Sequence, residues 1–136
     1  MGQSNQSAAV VDRFLAAVEA GDMPGDVFAD DAALDATVPN WRFEARGGDA
    51  VRSELASWYA DPGQFLDLQR TAIPGGELVE FTLSWTQDGV PHRVHQAHIL
   101  RVADDRVSTD TAFCGGRWPA DLIAEMEAAA ATTTDA

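Results

Sequence analysis

"PHRVHQAHILRVADDRVSTDTAF", residues 91–113, carries the decision about the fold. On the first arm Val94, Gln96, His98, Leu100 and Val102 form one face, and Arg93, His95, Ala97, Ile99 and Arg101 form a wetter one. That alternation, interrupted by "ADD" and resumed from Arg106, is the pattern of an antiparallel hairpin. His92, His95 and His98 are all the histidines of the chain. On a strand, His92 and His98 share a face and His95 takes the other, so the three do not converge on a metal.

The hairpin has two possible registers. A two-residue loop of Asp104 and Asp105 sets Asp110 opposite Ile99, on the face of His95. A three-residue loop that includes Ala103 sets Asp110 opposite His98. The central positions of a two-residue loop want positive φ, and no Asn-Gly or Asp-Gly pair is present, which favours the longer loop and a His98–Asp110 pair.

Upstream, residues 65–73 end at "PGG", and residues 78–87 end at Asp88 and Gly89. In the second segment Val79, Phe81, Leu83 and Trp85 alternate with Glu80, Thr82 and Ser84, giving one apolar face. With residues 91–102 and 106–114 they make a four-stranded meander. Helices come earlier. Ser7 is placed to cap a helix through Ala20 with Val10 or Val11, Phe14, Leu15 and Val18 on one face, and residues 24–29 suit a short second helix. Asp49 caps a third, whose Val51, Leu55, Trp58 and Tyr59 share a face before Pro62 and Gly63 end it. Short strands are expected at 32–37 and 41–45, and Pro119 opens a last helix. Helices first and a curved antiparallel sheet afterwards give an α+β domain over residues 7–130, with disordered ends at 1–6 and 131–136.

Composition bounds the partners. The 136 residues include 22 acidic and 9 basic side chains, a net charge of −13, which repels nucleic acid and anionic membrane surfaces. The single Cys114 excludes an internal disulfide, and the N-terminal stretch lacks the basic and apolar regions of a secretory leader, so a cytoplasmic protein is expected. No glycine-rich phosphate-binding pattern occurs, and no cofactor or metal is expected.

The order of elements, with "FADDAALDA" after a short helix and "HILRVADDRVSTDTAF" in the last hairpin, resembles the nuclear transport factor 2 superfamily, in particular its ketosteroid-isomerase-like and SnoaL-like members. The resemblance implies a cone: a bent sheet wrapped around the N-terminal helices, enclosing an apolar pocket. It also implies a homodimer paired through the outer face of the sheet. The superfamily contains isomerases, cyclases, dehydratases, epoxide hydrolases and noncatalytic members, so the fold alone does not name an activity. The tyrosine of the steroid isomerases matches Phe14 here, their general base matches Ala36, and their hydrogen-bond-donating acid matches His98. Steroid isomerisation by those groups is therefore not expected. Asp35, next to Ala36, faces the other way unless the strand shifts by one residue. Asp110 stands where SnoaL-like cyclases and related hydrolases keep an acid/base residue.

A histidine and a carboxylate in an apolar pocket can exchange a proton, which supports enolisation, cyclisation, dehydration or epoxide opening. His98 and Asp110 are the candidate catalytic pair. Phe14, Trp41, Trp58, Tyr59, Trp85 and Leu100 are candidate ligand contacts, with Tyr59 and Trp41 able to orient a carbonyl. The expected activity is cofactor-independent acid/base chemistry on a small apolar carbonyl or polyketide-like compound. Two other readings stand beside it: a noncatalytic binder of a hydrophobic small molecule, and a dimerisation module whose pocket is plugged by Trp41, Trp85 and Phe113.

Overall fold

The computed structural model describes residues 2–135, with side chains placed for 6–132. Helix α1 (Gly2–Ala20) leads through a single 3-10 turn at Gly25–Val27 into β1 (Phe28–Val38) and β2 (Trp41–Arg46). Helix α2 (Gly48–Trp58) follows, then β3 (Gly63–Ile73), β4 (Gly76–Gln87), β5 (Val90–Ala103), β6 (Arg106–Pro119) and α3 (Ala120–Asp135). The strands form one curved, unclosed sheet in the order β2-β1-β6-β5-β4-β3.

The expected meander is present, but the sheet is not wholly antiparallel. β1 runs parallel to β6, with Leu34 beside Asp110 and Ala36 beside Ala112. This junction joins strands far apart in sequence, which no local pattern announces. Both ends differ from expectation too: α1 begins at Gly2, so Ser7 lies inside it and does not cap it, and α3 continues through the expected tail to Asp135. Residues 1 and 136 of the expected disordered ends lie outside the described residues.

The core forms where α1 crosses the sheet. Val10, Val11, Phe14, Leu15 and Val18 meet Val79, Phe81, Leu83, Val94 and Leu100, all of them buried. Each such side chain contributes about 1.5–3 kcal/mol through removal from water. α2 adds Val51 and Leu55 over β1, and Tyr59, just past its end, turns inward. Arg70 fastens α1 to the β3–β4 hairpin by bonding both oxygens of Glu77 as well as Asp12.

The β5–β6 turn is a two-residue loop. Ala103 pairs with Arg106, and Asp104 and Asp105 both take positive φ, at 51° and 66°. Aspartate is among the few non-glycine residues that visit this region readily, so an Asp-Asp pair serves here where Asn-Gly is commoner. Taken alone, this loop would put Asp110 on the outer face. A β-bulge reverses that: Val102 pairs with Val107 but Arg101 pairs with Thr109, leaving Ser108 as an extra residue whose hydroxyl donates to the Arg101 carbonyl at 3.1 Å. Beyond the bulge Asp110 lies opposite Leu100 and Ala112 opposite His98, so Asp110 and His98 share the inner face as diagonal neighbours.

Candidate active site

His98 and Asp110 are 0% and 1% exposed. The His98 ring stacks on Phe81 at 5.8 Å between centroids and meets the edge of Phe14 at 5.2 Å. Trp58 and Tyr59 close the remaining sides at 6.4 and 6.5 Å. His98 Nδ1 lies 3.0 and 2.8 Å from the two carboxylate oxygens of Asp110. His98 Nε2 lies 2.9 Å from the Tyr59 hydroxyl. That hydroxyl donates to Gln96 Oε1, and Gln96 Nε2 donates to Cys114 Sγ at 3.3 Å. Five side chains thus form one line from the apolar interior outwards: Asp110, His98, Tyr59, Gln96 and Cys114.

The same frame accommodates two proton arrangements. With Tyr59 donating to Gln96, its oxygen accepts from His98 Nε2–H, and the second ring nitrogen faces Asp110 either as an imidazolium donating to a carboxylate or as an acceptor from the protonated acid. With the Gln96 amide turned over, Gln96 donates to Tyr59, Tyr59 donates to His98 Nε2, and His98 Nδ1–H donates to the carboxylate. The first holds one proton more than the second, so passing from the first to the second turns the Gln96 amide and releases one proton from the line without moving its backbone. Burial, followed by the negative charge of Asp110 and the Cys114 sulfur, raises the Tyr59 phenol well above its usual value, against an opposing effect of Arg117. Tyr59 is therefore held as a neutral hydrogen-bond donor.

The line ends at a cavity of about 390 Å³, bordered by Val38, Pro39, Trp58, Gln96, Cys114 and Arg117. Its floor is made by a second irregularity in β6. Val94 pairs with Arg117 but Gln96 pairs with Cys114, so Gly115 and Gly116 bulge, and Gly116 takes φ 118°. A side chain at 116 would meet Trp118 at 3.1 Å and Pro39 at 3.4 Å as well as a backbone conformation few residues adopt. His98, Asp110 and Tyr59 do not border the cavity; Gln96 and Trp58 stand between.

The expected site is thus partly assembled. His98, Asp110, Phe14, Trp58 and Tyr59 come together, and Leu100 is buried opposite Asp110. Trp85 lies elsewhere, stacked on His92 at 5.4 Å and beneath the Arg117 guanidinium at 4.7 Å, beside a separate, shallower cavity of about 710 Å³. Trp41 is 69% exposed because β2 is the edge strand and nothing covers its outer end. Phe113 is exposed as well, so these residues do not plug the cavity. Asp35 faces outward and holds Arg42 through both oxygens, at 3.0 and 2.6 Å, while Ala36 faces inward. The Arg42 guanidinium keeps the Asp35 carboxyl below the usual carboxylate range. His95 is exposed between Thr82 and Glu80, and no cluster of metal-ligating side chains occurs among the described residues.

Gln96, Cys114 and Arg117 complete the arrangement and carry no role in the sequence analysis. Gln96 is recognisable as a second polar residue, beside His98, on a face that is otherwise apolar. Arg117 lies beyond "GG", which reads as the end of a strand but is a bulge within one.

No family profile and no curated protein matches this sequence. Solved structures do match. A putative isomerase from Bacillus subtilis is 13% identical, with a TM-score of 0.69 over 85% of this chain and 90% of that one. An NTF2-like protein of unknown function from Mesorhizobium loti is 21% identical, with a TM-score of 0.66 over 84% and 94%. An LEH-like epoxide hydrolase from M. tuberculosis is 17% identical, with a TM-score of 0.64 over 81% and 83%. No helix among the described residues is long and apolar enough to cross a membrane. Sequence order, sheet topology and these likenesses agree: the chain has the nuclear transport factor 2-like fold.

Proposed function

We propose that this protein is a cofactor-independent acid/base enzyme acting on a small carbonyl compound, of the isomerase, cyclase, dehydratase or epoxide hydrolase type. One observation carries the reading: a histidine and an aspartate are enclosed in aromatic side chains and connected to a cavity through Tyr59 and Gln96. Ionisable pairs buried this deeply add little stability over apolar residues of the same size, so their retention points to a chemical role.

In this reading Tyr59 is the group that meets the substrate. Gln96 Oε1 occupies the position of a substrate carbonyl oxygen, and rotation of the Gln96 side chain away from Tyr59 admits the substrate to the phenol. Tyr59 gives its proton to the substrate oxygen, His98 Nε2–H replaces it, Asp110 orients the imidazole and balances its charge, and the proton lost from the carbon beside the carbonyl passes to solvent in the cavity, which returns one to the line. Trp58 and the apolar rim hold the remainder of the molecule. The exposed Phe113, with half-buried Leu78 and Ile99 on the outer face of the sheet, supports a homodimer through that face.

Asp110→Asn tests the reading. An enzyme loses about 10²-fold or more of its turnover while ligand binding in the cavity persists; a noncatalytic binder shows a change of affinity alone.

A further inference from the structure

Arg117 stands at the rim of the 390 Å³ cavity with no carboxylate partner among the described residues. In a chain with 22 acidic and 9 basic residues, carboxylates are plentiful enough to pair with the guanidiniums. Arg42, Arg46, Arg70, Arg93 and Arg106 each have one. Arg117 donates to the Trp58 carbonyl at 2.9 Å and to Gln87 Oε1 at 2.8 Å, and its plane lies over Trp85. All three contacts are neutral. They fix the guanidinium without cancelling its charge, and they leave part of its five-donor fork free. Arg13, Arg52 and Arg101 also end on backbone carbonyls, but none of them borders this cavity.

The rest of the wall is of a different kind. Val38, Pro39 and Trp58 offer apolar surface, and Gln96 and Cys114 offer the polar end of the proton line. A fixed, uncompensated cation on the edge of an apolar cavity suits a ligand with an apolar body and one anionic group, and a planar carboxylate matches the fork of the guanidinium.

We propose that the cavity binds a small amphipathic carboxylic acid, with its carboxylate on Arg117 and its apolar body against Trp58, Val38 and Pro39. The proposal deepens the reading above and rests on the same cavity being the ligand site. Its consequence is orientation: anchoring one end at Arg117 places the other part of the molecule against Gln96, where Tyr59 waits behind. The charge of Arg117 is already felt at the Tyr59 phenol, so a bound carboxylate also alters the field at the proton line.

The test uses the full chain and a matched pair of probes, 2-naphthoate and 2-naphthamide, titrated by NMR with the Trp58 indole N–H and the Cys114 amide as reporters. The acid is expected to bind roughly tenfold or more tightly than the amide, because a charge-assisted bidentate contact replaces a neutral one. Arg117→Lys keeps part of that preference, and Arg117→Gln reduces it to within about twofold, chiefly by weakening the acid. Should Arg117→Gln not fold, the wild type decides: between about 10 mM and about 1 M salt, where the Debye length shrinks from about 30 to about 3 Å, the preference for the acid declines. Equal affinity for acid and amide in the wild type overturns the proposal. A preference that survives Arg117→Gln, or that ignores salt, overturns it as well, as do shifts confined to residues away from the cavity. The two readings fail separately: naphthoate binding with no acid/base turnover of any carbonyl compound leaves the anchor standing and sinks the enzyme, whereas turnover of neutral ketones with no preference for carboxylates does the opposite.

Discussion

Replacing His98 and Asp110 singly and together separates a pair kept for chemistry from one kept for stability. Both side chains are essentially unexposed, and their surroundings are Phe14, Phe81, Leu100 and Ala112. Asp110→Val leaves the imidazole with a buried ring nitrogen and no acceptor, and His98→Leu leaves a carboxylate with no donor. Removing one partner of a buried ion pair costs about 3–5 kcal/mol. In urea, with a slope near 2 kcal/mol/M, each single variant should therefore lower the unfolding midpoint by about 1.5–2.5 M. The double variant His98→Leu/Asp110→Val fills the same space with apolar atoms, and Tyr59 keeps its bond to Gln96. It should lie within about 2 kcal/mol of the wild type, whereas addition of the two single losses gives roughly 6–10 kcal/mol. Urea unfolding followed by tryptophan fluorescence, with the slope checked for constancy, measures all four proteins. Single losses below about 1 kcal/mol, the scale of an ordinary cross-strand pair, refute the reasoning. So does a double variant as unstable as the sum.

Tyr59 is the only tyrosine, so phenolate absorbance near 295 nm reports on it alone. Its folded-state value is raised above the ordinary value near 10, so its contribution to stability is complete below pH 10 and is lost as pH rises towards the folded value. The native protein should show no phenolate at pH 10, and its absorbance should rise only together with unfolding; reversible ionisation near 10 in the folded protein contradicts the enclosed site. Deleting Ser108 takes out the extra residue of the bulge and leaves Thr109 opposite Arg101 and Asp110 opposite Leu100, so Asp110 keeps the inner face. That variant should unfold cooperatively with a loss of about 0.5–3 kcal/mol and keep native-like amide NMR signals around His98, whereas loss of cooperative unfolding argues against the one-residue bulge as the device that aims Asp110. Gln96→Ala opens the path from the cavity to Tyr59. It should strengthen binding of small ketones to the cavity, read by calorimetry, and unchanged or weaker binding contradicts the role of Gln96 as occupant of the carbonyl position.

The inner face of β5 was legible because alternation alone sorts Val94, Gln96, His98 and Leu100 from His95 and Arg101. The pairing of Asp110 with His98 was reached through a different route from the one the chain takes. A three-residue loop and a two-residue loop followed by a bulge both bring Asp110 to the face of His98, and the sequence shows neither the positive φ of Asp104 and Asp105 nor the extra residue at Ser108. Such choices depend on how neighbouring strands twist together, which is not a property of the local segment. The parallel contact of β1 with β6 was hidden for the same reason. Trp41 and Trp85 were expected at the pocket from their residue type, but a strand's place in the sheet decides burial, and β2 is an edge. Arg117 was missed because Gly115 and Gly116 read as a stop.

The central claim is that the line from Asp110 to Tyr59 moves protons for a molecule in the cavity. The most direct measurement is deuterium exchange at the carbon beside the carbonyl in a panel of small ketones dissolved in D2O, followed by proton NMR with the wild type and with Asp110→Asn. The account predicts exchange of at least one ketone by the wild type and a loss of about 10²-fold or more in the variant, with cavity binding retained. Binding without exchange above the solvent rate, or exchange that Asp110→Asn leaves unchanged, contradicts it.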